Sequence, residues 1–249
     1  MFKSLKFLFL AMLALTMNPT AALAMTVQPV VINLNTSGRG MTQVITVENT
    51  FATTLPVELR VQELKVTQDG VELTGVDPGD LLVFPPQALI EPGQTQSFRV
   101  QFVGDPSLAA SKHYYITVAQ LPVKLPEGQS AIQILYNFQV LVSVAPTGVK
   151  PDLSVQSAAV GHNAEGKPVP VLMLNNASAA HGYLSNGRLR IVQKDASGKE
   201  VFRQSLSGPE VQQTIGFGLV GANQTRRITV PIELPLDGGT VEASYTAEG

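Results

Sequence analysis

Helical periodicity is nearly absent from this chain. In its place come short runs in which apolar and polar residues alternate or β-branched residues cluster, cut apart by Gly, Pro, Asn and Asp. Such runs bury one face only by pairing into sheets, so the sequence predicts an all-β protein. The first set of strand candidates is Val27–Asn33, Thr42–Asn49, Pro56–Thr67, Leu81–Phe84, Thr95–Phe102, Tyr114–Pro122 and Ala131–Val144. Gln68-Asp69-Gly70, Asp77-Pro78-Gly79-Asp80 and Glu91-Pro92-Gly93 supply turns between them. That number of strands suits one immunoglobulin-like sandwich. Ala145-Pro-Thr-Gly-Val-Lys-Pro151 follows, and its prolines predict a stiff elbow.

The pattern then restarts with Leu153–Val160, Val169–Asn175, Leu184–Gln193, Glu200–Leu206, Thr214–Phe217, Arg226–Leu234 and Thr240–Thr246. This predicts a second β-sandwich, similar in architecture but without a sequence repeat. The expected division is 25–146 for the first domain, 147–151 for the linker and 152–249 for the second.

The chain opens on Lys3 and Lys6, an apolar run from Phe7 to Leu15, a helix-ending Asn18-Pro19, and Ala22-Leu23-Ala24. This is the order of parts in a secretory signal, with cleavage expected after Ala24. The apolar run is shorter than the ~20 residues a membrane span needs. There is no cysteine, so each sandwich must rest on its core alone. Export without cysteine points to a bacterial periplasm.

The chemistry of catalysis is missing. Charged residues are 14% of the chain, its net charge is −2, and the charges are scattered, which argues against a nucleic-acid partner. No nucleophile elbow, zinc-protease helix or phosphate loop appears. Gly216-Phe-Gly218 lacks the strand and helix of a dinucleotide fingerprint. Asp77 and Asp80 read as turn residues, and His181 as a surface-loop histidine. No enzyme activity, cofactor, metal or small-molecule substrate is expected.

The run Ala131–Val144 is more than twice the usual strand length of about five or six residues. One face carries Ile132, Ile134, Tyr136, Phe138, Val140, Val142 and Val144. At ~3.3 Å per residue it would span roughly 45 Å, longer than a small sandwich. Two readings stand: a core strand closing the first sandwich, or a strand donated to a partner's sheet.

Phe84-Pro-Pro-Gln-Ala-Leu-Ile-Glu-Pro-Gly-Gln-Thr-Gln-Ser-Phe-Arg-Val100, Tyr114-Tyr-Ile-Thr-Val-Ala-Gln-Leu-Pro122 and the long run ending at Ala145-Pro146 resemble the periplasmic chaperones of chaperone–usher pilus systems, the PapD-like family. Leu174-Asn-Asn-Ala-Ser-Ala-Ala-His181 is similar to the family's asparagine-containing turn. The resemblance implies two immunoglobulin-like β-sandwich domains in a boomerang. It implies a chaperone that caps pilus or fimbrial subunits by donor-strand complementation and passes them to an outer-membrane usher. Ile132, Ile134, Tyr136 and Phe138 fall on the donor positions.

The family commonly holds the subunit's C-terminal carboxylate with an Arg on the first strand and a Lys near the end of the long strand. Here those positions carry about Asn33 and Leu141. Gln120-Leu-Pro-Val123 and the basic pair before Tyr114 look like the divergent, archaic branch, where the anchor sits elsewhere. If Tyr114–Pro122 pairs antiparallel with the long strand, Lys112 and His113 reach the cleft between domains. Lys112 is then the expected anchor and Arg99 its back-up. The competing readings are an exported structural adhesin or pilus component built of sandwiches, and an enzyme or copper carrier on such a scaffold.

Overall fold

A computed structural model describes residues 25–123 and 134–248. The predicted signal segment therefore lies outside the described residues. The first half forms two facing sheets. One runs β1 (Met25–Gln28), β3 (Thr42–Asn49), β8 (Thr95–Phe102), β6 (Leu81–Phe84). The other runs β2 (Val31–Asn35), β10 (Asn137–Ala145), β9 (Lys112–Gln120), β4 (Leu55–Val66), β5 (Val71–Leu73), with β7 (Gln87–Ile90) also on β4.

Alternation decides what faces inward. Ile45, Val47, Phe98, Val100 and Phe102 of the first sheet meet Tyr114, Ile116, Val118, Val140, Val142 and Val144 of the second, all essentially buried. Each large side chain enclosed there contributes about 1.5–3 kcal/mol, which is how a sandwich without disulfides holds.

Two expectations for this half need correction. Val27–Asn33 is not one strand. The chain leaves the first sheet after Gln28 and joins the second at Val31, where β2 runs parallel to β10. Pro29 stands at the crossing and has no N–H for a ladder. The long run is also shorter than expected. Within the described residues the strand begins at Asn137, and 134–136 are not strand.

The second half has its own core. Its sheets are β11 (Leu153–His162), β12 (Pro168–Asn176), β17 (Gln224–Thr229); the pair β13 (Gly182–Tyr183), β16 (Leu219–Val220); and β15 (Glu200–Leu206), β14 (Gly187–Lys194), β18 (Thr240–Ala247). Leu172, Leu174, Leu184, Leu189, Ile191 and Val230 fill the space between them. The strand expected at Thr214–Phe217 is absent. A helix, α1 (Gly208–Ile215), ends there instead. Glu210 reaches back to accept from the Ser207 backbone N–H at 2.7 Å, closing a capping box with a proline in the first turn. Val211 packs the helix onto the core.

The two halves use one device at the same place. Asn49 ends β3 and Asn176 ends β12, and both are buried. Asn49 Nδ2 donates to the carbonyls of Thr53 and Ile90, and its Oδ1 accepts from Phe51 N. Asn176 Nδ2 donates to the carbonyls of Ala180 and Gly221, and its Oδ1 accepts from the backbone N–H groups of Asp152 and Ser178. Each side chain satisfies backbone groups at strand ends and in the loops beside them.

A third apolar cluster joins the halves: Leu64, Val66 and Leu141 from the first, Tyr183 and Leu219 from the second. Beside it Arg227 N donates to Gln68 O at 2.7 Å, and the Arg227 guanidinium pairs with Asp69 at 3.2 Å.

Candidate functional site

The apolar face of the long run emerges gradually from the core. Val140 is fully buried, Phe138 packs partly on the core, Tyr136 is 40% exposed and Ile134 is 70% exposed. The core-strand reading describes the later part of the segment. Val140, Val142 and Val144 close the chain's own sandwich, while the residues before them run off its end. Ile132 lies outside the described residues.

The same stretch has a free side. β9 pairs with β10 from Asn137 to Val144, but β2 covers only Leu141 to Ala145. Among the described residues, Asn137–Val140 therefore has one neighbour strand and one open edge. Tyr136 is steadied at the mouth of this edge. Gln120 N donates to its carbonyl at 3.0 Å, the Gln120 side chain accepts from its N–H at 3.2 Å, and its ring leans on Phe51 at 6.0 Å. Leu89, 72% exposed, and Leu121 border a separate open pocket of about 300 Å³ at this end of the sheet, on β4 and β7 beyond β9. An open ladder flanked by exposed apolar side chains is a surface on which another strand can lie.

The other end of β10 adjoins the second half. Lys112 pairs with Val144 in the ladder and starts β9. Its ammonium is held at 2.9 Å by Asp80, which also accepts from the Tyr114 hydroxyl at 2.7 Å. Burial pushes the Asp80 carboxyl up, but the hydrogen bonds from Tyr114 and Lys112 outweigh it and hold the group below the ordinary range. Lys112 borders an open pocket of about 300 Å³ with Glu63, Ser111, His113 and Gln224. Arg99 is elsewhere. It sits exposed between the buried Phe98 and Val100, on the outer face of the opposite sheet. The structure does not bring the two candidate cations together.

Asn33 and Leu141 have other partners. Leu141 belongs to the cluster joining the halves. Asn33 Oδ1 accepts from the Tyr183 hydroxyl at 3.0 Å and stands 2.9 Å from His181 Nε2. His181 is accordingly no surface residue. It is 7% exposed, because the face that covers it belongs to the other half of the chain. Asp80 is likewise more than a turn residue, since it holds Lys112. Sequence reading missed it because its partner is 32 positions away.

Residues 24–150 match a family model described as pili and flagellar-assembly chaperone, PapD N-terminal domain. No curated protein sequence matches the chain. Among solved structures, the YadV chaperone superposes with a TM-score of 0.54 at 12% identity, covering 89% of this chain and 91% of that one. The class 5 fimbriae chaperone CfaA gives 0.53 at 11%, covering 91% and 93%. The CsuC–CsuE chaperone–tip adhesion subunit pre-assembly complex, from archaic chaperone–usher Csu pili of Acinetobacter baumannii, gives 0.52 at 14%, covering 86% and 90%. Likeness at such identity is likeness of fold.

Proposed function

The chain belongs to the pili and flagellar-assembly chaperones of the PapD family, and from that premise we propose that it is a periplasmic chaperone that caps fimbrial subunits and hands them to an outer-membrane usher. The observation that carries this reading is the open edge at Asn137–Val140, continued by the exposed Ile134 and Tyr136. A subunit lacking its last strand would pair with that edge. Ile132, Ile134, Tyr136 and Phe138 would fill its groove, each contributing about 1.5–3 kcal/mol when fully buried. Catalysis has no part in this role.

The proposed organisation is a cleaved export signal at 1–24, a donor domain at 25–146, a linker at 147–151 and a second domain at 152–249. Co-expression with candidate fimbrial subunits, followed by purification from periplasm, should bring down a small β-rich subunit. Recovery of the chaperone alone, with subunits in the cells, would count against the reading.

Lys112 is the proposed anchor for the subunit's C-terminal carboxylate, with Arg99 as back-up. Lys112 adjoins the junction of the two halves, and its charge is shared with Asp80. A charge-assisted hydrogen bond contributes roughly 1.5–3 kcal/mol. Lys112→Ala should weaken subunit capture by about one to two powers of ten, measured by titration calorimetry, and Arg99→Ala should weaken it little. The reverse order would make Arg99 the anchor. No effect from either would leave strand donation as the sole grip.

A further inference from the structure

The seam between the two halves contains a continuous hydrogen-bonded chain whose proton positions are fixed by its ends. Asn33 Oδ1 can only accept, so the Tyr183 hydroxyl donates to it. With its proton committed there, Tyr183 Oη must accept from Ser143 Oγ, 3.0 Å away. Ser143 has then spent its proton, so His113 Nδ1 donates to Ser143 Oγ at 2.8 Å. From the other side His181 Nε2 donates to Asn33 Oδ1 at 2.9 Å. Its Nδ1 is left to accept from Ser111 Oγ at 3.0 Å, while that oxygen accepts from His181 N at 2.9 Å.

Asn33, Ser111, His113 and Ser143 belong to the first half, and His181 and Tyr183 to the second. The rings also stack edge to face, His113 on His181 at 5.3 Å and His181 on Tyr183 at 5.2 Å. This arrangement is complete only with both imidazoles neutral and in opposite tautomers. A second proton on His113 would sit on Nε2, which is buried without a partner. A second proton on His181 would face the hydroxyl proton of Ser111.

We propose that this chain is a pH-sensitive latch between the two sandwiches, closed while both histidines are neutral and released when they take up protons. Burial and the cationic neighbours oppose protonation in place. Arg226 of β17 is the nearby cation and carries its own buried, unpartnered Nε. Lys112 neighbours His113 on β9. Glu63 and Lys65 flank Leu64, its cross-strand partner on β4. Tyr115 lies in the seam cluster, and Tyr183, itself pushed up to about 12 by burial, supplies no charge.

Burial, and after it the charges of His181 and Arg226, bring His113 down to about 3; burial brings His181 down to about 4. Exposed histidine titrates near 6.5. The closed seam is therefore at full strength above about pH 6.5. As pH falls below that, the open arrangement gains up to about tenfold per unit for each histidine, until the closed-state values are reached. The latch is a property of the free chain, so its failure leaves the chaperone reading untouched.

The chain has no cysteine, so spin labels at Glu72→Cys and Ser205→Cys, one exposed position in each half, report the distance across the seam. The expected result is a narrow distribution at about pH 7.5 that broadens and lengthens at about pH 4.5. His113→Asn/His181→Gln, whose amides can replace the two donated bonds, should stay narrow at both. Asp69→Asn, which removes the surface ion pair across the same seam, should respond like the parent. In the parent, nitrogen NMR should find the proton on His113 Nδ1 and His181 Nε2 at neutral pH, and ring protonation should track the broadening. An unchanged distribution at about pH 4.5, or broadening with both rings still neutral, overturns the latch. A double variant that broadens as the parent does, or a response lost only in Asp69→Asn, overturns it as well. Should the double variant be loose at both pH values, the NMR comparison on the parent decides.

Discussion

Ile134→Asp should abolish capture of a fimbrial subunit and leave the melting temperature of the free chaperone where it was. The second half of that statement follows from exposure. Ile134 is 70% exposed and lies ahead of β10, so a carboxylate there meets water. The first half follows from where the side chain would go. Inside a subunit's groove the substitution forfeits roughly 1.5–3 kcal/mol of apolar burial and adds the cost of enclosing an unpaired charge, several kcal/mol more. At about 1.4 kcal/mol per power of ten, the loss exceeds a hundredfold. Phe138→Asp is a poorer test, because Phe138 packs on the chaperone's own core and its loss would also lower the melt. Tyr136 lies between the two cases, held by Gln120 and Phe51. Calorimetric titration with purified subunit, beside a thermal melt, reads both quantities. Normal affinity in Ile134→Asp would mean that this segment is not donated.

Asn176→Ala should remove a large share of the second sandwich's stability. The side chain is 1% exposed, and its loss strands the buried carbonyls of Ala180 and Gly221 and two backbone N–H groups. A buried polar group left without a partner costs about 1–3 kcal/mol, so the two carbonyls alone amount to roughly 2–6 kcal/mol. A domain of ordinary stability has about 5–15 kcal/mol to lose. Asn49→Ala should do the same to the first sandwich, through Thr53, Ile90 and Phe51. Urea unfolding followed by circular dichroism should show the affected transition moving to lower denaturant. A change below about 1 kcal/mol in either variant would mean that water replaces the amide, against the burial seen here.

What could be read from residues alone was whatever depends on near neighbours. β3, β6 and β8 have the expected bounds because each is a short β-prone run closed off by turn residues. Lys112 falls opposite Val144, at the end where an antiparallel pairing sets the start of one run beside the end of the next. The division of Val27–Asn33 between two sheets is marked in the residues by Pro29 and by a change of phase, since the inward positions pass from Met25 and Val27 to Ile32 and Leu34. The helix at Gly208–Ile215 had a legible start in Ser207-Gly-Pro-Glu210, passed over because its short apolar pattern also suits a strand. His181 could not have been read as buried, because Asn33, its partner at Nε2, stands 148 positions away.

The early end of β2 has a geometric consequence. The carbonyl of Val30, just ahead of β2, takes the Leu141 N–H at 3.0 Å, and from there back the chain turns off through Pro29 toward the other sheet. A guest strand laid along Asn137–Val140 would meet that departing backbone as a wall. A side-chain period of two makes a slip of one residue swap every inward group for an outward one. The wall gives such a guest a zero mark: it can advance to Val140 and no farther, so the depth at which each of its residues comes to rest is measured from the host's own first turn of backbone.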